Sequence, residues 1–242
     1  FQLLVLTRFF ALFPKPHDRN LELICRWFWR TSVGAETLGI SGSQRDLRYM
    51  AKLIAPGKES SSVQRLIKAA KLTMKPESDF TNLLDLTTFR TDRANSKVVL
   101  AALWNKHPVD VRTNSAMTPD ELADQLENDS TPQAVTIKLA PDSAESAGFA
   151  ANRLISFVDR QEFIGRASAE TDLDSLLLDE KMLSALQENR HGDFLRMRSG
   201  VLRRYLNDFL DARTAYGQED RPPLEDFIFD DGDPDGDPGA PA

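Results

Sequence analysis

The sequence predicts a mainly α-helical protein, a multi-helix bundle with one small strand element near residues 134–139. Apolar residues recur every three to four positions along most of the 242-residue chain, as they do on the buried face of an amphipathic helix. Strict alternation of apolar and polar residues, which marks a half-buried strand, is convincing only at Val135, Ile137 and Leu139. With 41% apolar residues, the chain has enough hydrophobic surface to form a core.

The first predicted helix covers residues 1–13 and is apolar nearly all round. Arg8 interrupts the apolar run and Pro14 follows it, which is unlike a secretory signal. The run is also shorter than the roughly 20 apolar residues that span a bilayer. A helix of this kind has to be covered by other protein. We therefore expect the chain to be the C-terminal part of a longer protein, and we interpret this first segment as part of a protein core and not as a membrane anchor.

Capping and stop signals predict the remaining helices in order. Asp18 begins a helix that runs to about Ser32, with Cys25 on its apolar face and Glu22, Arg26 and Arg30 on another, polar face. Glu22 and Arg26 form an i, i+4 pair there. Ser43 begins a helix that ends before Pro56. Thr118 precedes a proline and two acidic residues, which is a strong helix start. The other predicted helices cover residues 63–72, 95–105, 118–128, 147–157, 179–189 and 193–213.

The charge is distributed unevenly along the chain. Residues 219–242 hold nine acidic side chains against Arg221 alone, so the formal charge of this tail is −8. Since the whole chain carries −7, residues 1–218 carry +1. The tail has few apolar residues and is predicted to be disordered. The body is close to neutral, which gives no global attraction to nucleic acid or anionic lipid. The single Cys25 excludes an intramolecular disulfide and is expected to be a small buried thiol in a reducing cytoplasm.

Candidate chemical sites are sparse. His17, His107 and His191 each lack a partner at a telling spacing, so the sequence names no catalytic residue and no metal ligand. The acidic run 231–236 matches the first half of a calcium-binding loop, but Ala242 stands where that loop requires glutamate. The run 41–45 has some likeness to a phosphate-binding loop, but one glycine before a helix is a weak signal and helix capping through Ser43 explains the run fully.

The last predicted helix is rich in arginine. Arg196, Arg203 and Arg204 are candidate phosphate-binding residues, because a guanidinium group binds phosphate oxygens in a bidentate manner. Arg198 lies among them, and Asp193 and Asp208 flank them on the same helix. Arginines on the outer face of an amphipathic helix are the alternative interpretation.

Several stretches together resemble the C-terminal half of proteins related to GmrSD-type, type IV modification-dependent restriction systems. They are residues 6–14, 26–30, 151–155, 193–198 with Leu202, and 220–224. The resemblance implies an upstream ParB-like domain that binds and hydrolyses nucleotide. It also implies a helical downstream part that often ends in an HNH-like, His-Me finger nuclease, with a His-Ile-x-Pro type motif on a strand and an asparagine on the following helix.

The matching positions in this chain are Lys138, within Ile-Lys-Leu-Ala-Pro, and Asn152, within Ala-Asn-Arg-Leu. Lysine therefore stands at the histidine position of the resemblance. The chemistry requires a neutral imidazole that takes a proton from water, whereas lysine is protonated at neutral pH. Asn152 retains a structural role, in which it hydrogen-bonds the loop after Pro141. The resemblance thus implies a degenerate ββα-like, nuclease-like region in residues 131–218.

These observations define three domains and three functional hypotheses. Residues 1–130 form a helical domain, 131–218 a second helical domain with the degenerate region, and 219–242 the acidic tail. The leading hypothesis is a non-catalytic helical module that serves in interaction or as a scaffold and needs no cofactor. Its expected partner is the ParB-like domain of the same protein, and a homo-oligomer is a further possibility. The alternatives are a DNA endonuclease that uses Mg²⁺ or Mn²⁺ and recruits His107 or His191, and a DNA-binding module that uses the arginine-rich last helix.

Overall fold

The computed structural model describes residues 2–34, 44–69, 80, 84–127 and 129–223. Within these residues the protein is mainly α-helical, as predicted, with two short antiparallel strand pairs. The helices are α1 (Gln2–Leu12), α2 (Asp18–Gly34), α3 (Gln44–Lys52), α4 (Glu59–Ala69), α5 (Ala94–Asn105), α6 (Pro119–Leu126), α7 (Arg160–Arg166), α8 (Glu180–Gln187) and α9 (His191–Thr214). The strands are β1 (Val109–Asp110), β2 (Ser115–Ala116), β3 (Thr136–Lys138) and β4 (Arg153–Ile155).

The chain divides into two compact units. The described residues of the first are 2–28, 44–69 and 216–223, and those of the second are 29–34, 80, 84–127 and 129–215. The first unit contains α1, α3 and α4, the second contains α5–α9 and all four strands, and the division falls within α2. The domain boundary predicted at residue 130 lies inside the second unit.

In the first unit, α1 packs against α3 through one face only. Val5 and Phe9 are fully buried on that face. On the opposite face Leu3 is 74% exposed, Leu4 57% and Phe10 39%. The helix predicted from its apolar composition therefore buries part of its hydrophobic surface within the unit and leaves the rest accessible.

The start of the predicted acidic tail is bonded to α2. The buried Arg26 donates hydrogen bonds to the Gln218 side chain (2.8 Å), the Glu219 carbonyl oxygen (3.1 Å) and the Asp220 carboxylate (3.1 Å). It also forms the predicted ion pair with Glu22 one helical turn away. Residues 219–223 are thus part of the first unit, while residues 224–242, including the calcium-loop-like run, lie outside the described residues. The loop at 41–43 lies outside them as well.

Two sequence predictions about α2 are wrong. Cys25 is exposed, not buried, because the core positions of the helix are Leu23, Ile24 and Trp27. Arg30, assigned to a polar outer face, is only 1% exposed. Its guanidinium group donates to the carbonyl oxygens of Thr214 (2.7 Å) and Ala215 at the C-terminal end of α9, where the helix dipole favours a cation.

The helix predicted over residues 147–157 is wrong. Residues Ala150–Asn152 form one turn of 3₁₀-helix and continue directly into β4, which pairs with β3 in antiparallel register. A short apolar run of this length is compatible with either a helix or a strand. The partner strand decides the outcome, since pairing with β3 satisfies the backbone groups of residues 153–155.

The capping signal recognised at Thr118 is confirmed. The Thr118 side chain accepts from the backbone N–H of Glu121, whose carboxylate accepts from the backbone N–H of Thr118, and this reciprocal capping box begins α6. Asp179, at which the sequence analysis begins a helix, caps α8 by accepting from the backbone N–H of Met182. The cap predicted at Ser43 lies outside the described residues. The sequence prediction missed α7, which Asp159 caps, and the β1–β2 hairpin.

A buried arginine joins α9 to the irregular segments of the second unit. Arg198 is 0% exposed and donates to three backbone carbonyl oxygens, those of Ala151, Arg153 (2.6 Å) and Leu176 (3.2 Å). Among the interactions described, it has no carboxylate partner. Burial lowers the pKa of Arg198 to about 9, which leaves the guanidinium group protonated at neutral pH. Its charge is therefore stabilised mainly by carbonyl dipoles.

Replacement of Arg198 is expected to destabilise the second unit strongly. In the Arg198→Met variant three buried carbonyl groups lose their donor, so we expect the free energy of unfolding to fall by about 2–4 kcal/mol. Chemical denaturation followed by circular dichroism measures the change. Arg204→Met, an exposed substitution on the same helix, is the matched control and should change it by less than about 0.5 kcal/mol. Equal effects of the two substitutions would contradict the assignment.

Candidate functional site

The candidate site lies at the β3–β4 pair. The register pairs Thr136 with Ile155, Ile137 with Leu154 and Lys138 with Arg153. Directly paired residues of an antiparallel sheet project from the same face. Lys138 and Arg153 are therefore neighbours on one face, and Ile137 and Leu154 on the other. The helix α7 follows β4 in the chain, and Arg160 at its start donates to the Leu139 carbonyl oxygen at 2.6 Å.

Lys138 occupies the end of β3. Its ammonium group forms an ion pair with the Asp142 carboxylate four residues later. The hydrogen bond from Lys138 lowers the pKa of Asp142 below its ordinary value. An ammonium group has three N–H donors and no acceptor. At this position the chain can thus donate hydrogen bonds and attract anions, but it cannot take a proton from water.

Asn152 holds the loop that joins the two strands. The residue is 0% exposed, and its side-chain oxygen accepts from the Ala140 N–H at 2.6 Å. Its side-chain amide donates to the carbonyl oxygens of Ala140 (3.1 Å) and Ala147 (2.8 Å). One side chain therefore fixes both ends of the 140–147 loop.

A cleft of about 550 Å³ opens on the face that carries Lys138 and Arg153. Its polar lining residues are Arg90, Asp92, Gln133, Thr136, Lys138 and Arg153, and Phe89 forms part of its wall. Thr136 and Lys138 both reach the cleft because alternate residues of a strand share a face. Three cations and one carboxylate thus line the same space.

Arg153 is the least compensated cation of this cleft. It is half-buried, and its guanidinium carbon lies 5.2 Å from the centre of the Phe89 ring. Its Nε atom is buried without a hydrogen-bond partner, and no described carboxylate forms a salt bridge with it. Burial lowers the pKa of Arg153 below its ordinary value.

The arginines proposed for phosphate binding on α9 lie elsewhere. Arg196, Arg203 and Arg204 are exposed on α9, and none of them lines the cleft. Arg196 forms a salt bridge with Asp193 at 2.7 Å. The structure therefore does not combine these three residues with Lys138 and Asn152 into one site.

The histidines are also outside the cleft lining. His107 is exposed in a loop after α5. His191 begins α9, and its Nδ1 atom is buried without a partner. Burial, with a smaller contribution from Arg160, lowers the pKa of His191 below 6.5.

Sequence reasoning found Lys138 and Asn152 but missed the cleft residues Arg90, Arg153, Asp92 and Gln133. The alternation of Thr136 and Lys138 was a usable signal for one face of a strand. Arg153 was missed because residues 147–157 were predicted to be a helix. In a helix Arg153 would not pair with Lys138.

No family model matches the chain, and neither a curated protein nor a solved structure matches it closely enough to be a relative. The resemblance to GmrSD-type proteins stays a prediction from the sequence. In the described part of the chain, no group of three or more His, Cys, Asp or Glu side chains is arranged to hold a metal ion. No helix found in the same residues is long and apolar enough to cross a bilayer.

Asn152→Leu is expected to release the 140–147 loop. The variant removes three hydrogen bonds from a buried position, so the free energy of unfolding should fall by about 2–4 kcal/mol. The Ala140 amide should exchange with solvent deuterium faster than in the parent protein, as measured by mass spectrometry. Ser143→Ala, an exposed change within the same loop, should alter neither quantity. Unchanged exchange at Ala140 in the Asn152 variant would refute this role.

His191 is expected to make the protein sensitive to mild acid. Because its pKa is lowered in the folded state, the unfolded chain binds more protons once the pH falls below about 6.5, and stability decreases with falling pH. His191→Gln should remove this contribution. Denaturation of both proteins between pH 7.5 and 5 measures it. Parallel stability curves for the two proteins would show that His191 does not contribute.

Proposed function

We propose that this chain is a non-catalytic helical interaction module of a cytoplasmic defence protein, of the modification-dependent restriction type that its sequence resembles. In this proposal the module positions a ParB-like domain of the same protein. The observation that carries the proposal is the chemistry of residue 138. A cationic donor, paired with Asp142, occupies the position where a nuclease of the resembled type requires a proton acceptor.

The arrangement of Asn152 supports the same interpretation. Both polar atoms of its side chain bond to the loop backbone, so the residue has a structural task that does not depend on catalysis. A fold that retains this loop without an acceptor at position 138 is suited to packing or binding.

The accessible face of α1 supports an interaction role. Leu3 and Leu4 are both more than half exposed, and Phe10, two helical turns after Leu3, is exposed as well. Exposed apolar side chains that adjoin one another commonly mark protein contact sites. We propose this face as a contact with the ParB-like domain.

A cleavage assay tests the non-catalytic part of the proposal. Modified and unmodified plasmid are incubated with the protein and either Mg²⁺ or Mn²⁺, beside a known metal-dependent nuclease. We expect no cleavage by the parent protein. Cleavage that His107→Ala or His191→Ala abolishes would overturn the proposal in favour of the endonuclease alternative.

Dye binding tests the interaction part in the same preparation. An apolar fluorescent dye should bind the parent protein, and Leu3→Glu should reduce its fluorescence because a charge enters the exposed apolar face. Gln187→Glu, which adds the same charge at an exposed position of α8, is the matched control. Equal fluorescence of the parent protein and the Leu3→Glu variant would remove the basis for this contact surface.

A further inference from the structure

The β3–β4 pair places two cations directly opposite each other. Lys138 and Arg153 are register partners, and like charges at such positions destabilise an antiparallel pair. Asp142 offsets part of this repulsion through its bond to Lys138, but its side chain is 77% exposed, and a surface pair of this kind contributes little. An anion located between the two cations would reverse the sign of the interaction.

Arg153 is prepared to bind such an anion. Its guanidinium group packs on the Phe89 ring, which restricts the side chain without using its N–H donors. Its buried Nε atom has no acceptor in the protein. None of the described hydrogen bonds or salt bridges uses the guanidinium group of Arg153, and the residue lines the cleft. Its terminal N–H groups are therefore the donors that the proposal assigns to an anion.

The rest of the cleft adds donors of the appropriate kind. Arg90 lines it together with Asp92, to which it is paired at 2.9 Å. Gln133 and Thr136 contribute amide and hydroxyl groups. The three cations of the lining face two carboxylates, Asp92 within the lining and Asp142 on Lys138, so one positive charge remains and Arg153 is the cation without a salt bridge. A volume of about 550 Å³ is in the range of small-ligand sites.

We propose that this cleft binds a phosphate dianion, either inorganic phosphate or the terminal phosphate of a small phosphomonoester, between Lys138 and Arg153. Arg153 donates from its planar guanidinium group, in the manner in which arginine binds phosphate, and Lys138 contributes a point charge. The proposal does not depend on the proposed function, since binding requires no cleavage and no contact with another domain.

A dianion of small size suits this site better than a polynucleotide. Duplex DNA is bound through many phosphate contacts along an extended basic surface. Here the cations converge on one cleft, and the α9 arginines do not line it. A monoester phosphate carries close to two negative charges at neutral pH, which matches two convergent cations, whereas each backbone phosphodiester carries one.

Isothermal titration calorimetry at pH 7.5 and constant ionic strength tests the proposal on the full chain. The probes are inorganic phosphate, methyl phosphate, dimethyl phosphate and a short DNA duplex. We expect the first two to bind, with Arg153→Gln weakening them about tenfold or more, and dimethyl phosphate to bind much more weakly. Methyl phosphate binding better than inorganic phosphate identifies an ester as the ligand, and the reverse order identifies free phosphate.

Arg196→Gln is the matched control, since it makes the same chemical change at an exposed arginine of α9 and should leave affinity unchanged. Thermal melting verifies that Arg153→Gln is folded. If Arg153→Gln is not folded, Lys138→Gln, a change at a more accessible position, is used instead and should weaken phosphate binding to the same extent. Absence of phosphate binding, or equal weakening by Arg196→Gln, would overturn the proposal. Binding of the duplex that depends on Arg153, without binding of either inorganic phosphate or methyl phosphate, would overturn it in favour of nucleic acid.

Discussion

The geometry of the β3–β4 region depends on one buried charge. Arg198 donates to the carbonyl oxygens of Ala151 and Arg153, which lie on either side of Asn152. Transfer of a guanidinium group from water to this interior costs free energy that hydrogen bonds have to offset. The two terminal nitrogens of Arg198 form these bonds, while its buried Nε atom has no hydrogen-bond partner. The carbonyl acceptors of Ala151 and Arg153 are therefore held in place, and the backbone of residues 151–153 is fixed on α9.

The fixed backbone of residues 151–153 also determines where the side chains of the site lie. With residues 151–153 fixed, Asn152 is held in position to close the 140–147 loop. The same fixed segment begins β4, so the register with β3 is set and Lys138 meets Arg153. Lys138 and Arg153 are thus brought together by the hydrogen bonds of Arg198, which lies far from both in the sequence. A shift of the β3–β4 register by one residue would place the two cations on opposite faces.

Local signals made much of the helical part predictable. Thr118 and Asp179 were recognisable caps because a side-chain oxygen before an apolar periodic run has few other uses. The rest required knowledge of distant partners. Residues 153–155 form a strand because β3 is present, and Arg30 and Arg198 are buried because backbone carbonyl oxygens from elsewhere in the chain accept hydrogen bonds from their guanidinium groups. No periodicity in the sequence identifies such acceptors, so both arginines were assigned to polar faces.

Under the proposed function, Lys138 removes one chemistry and supplies the conditions for another. A neutral imidazole at position 138 would act as a proton acceptor, and it would leave Arg153 as the only cation of the register pair. A lysine there adds a second positive charge beside Arg153, whose guanidinium group takes part in no described salt bridge. The two charges repel each other, and both would attract an anion placed between them. The residue that the proposed function makes unsuited to activate water is thereby suited to bind phosphate.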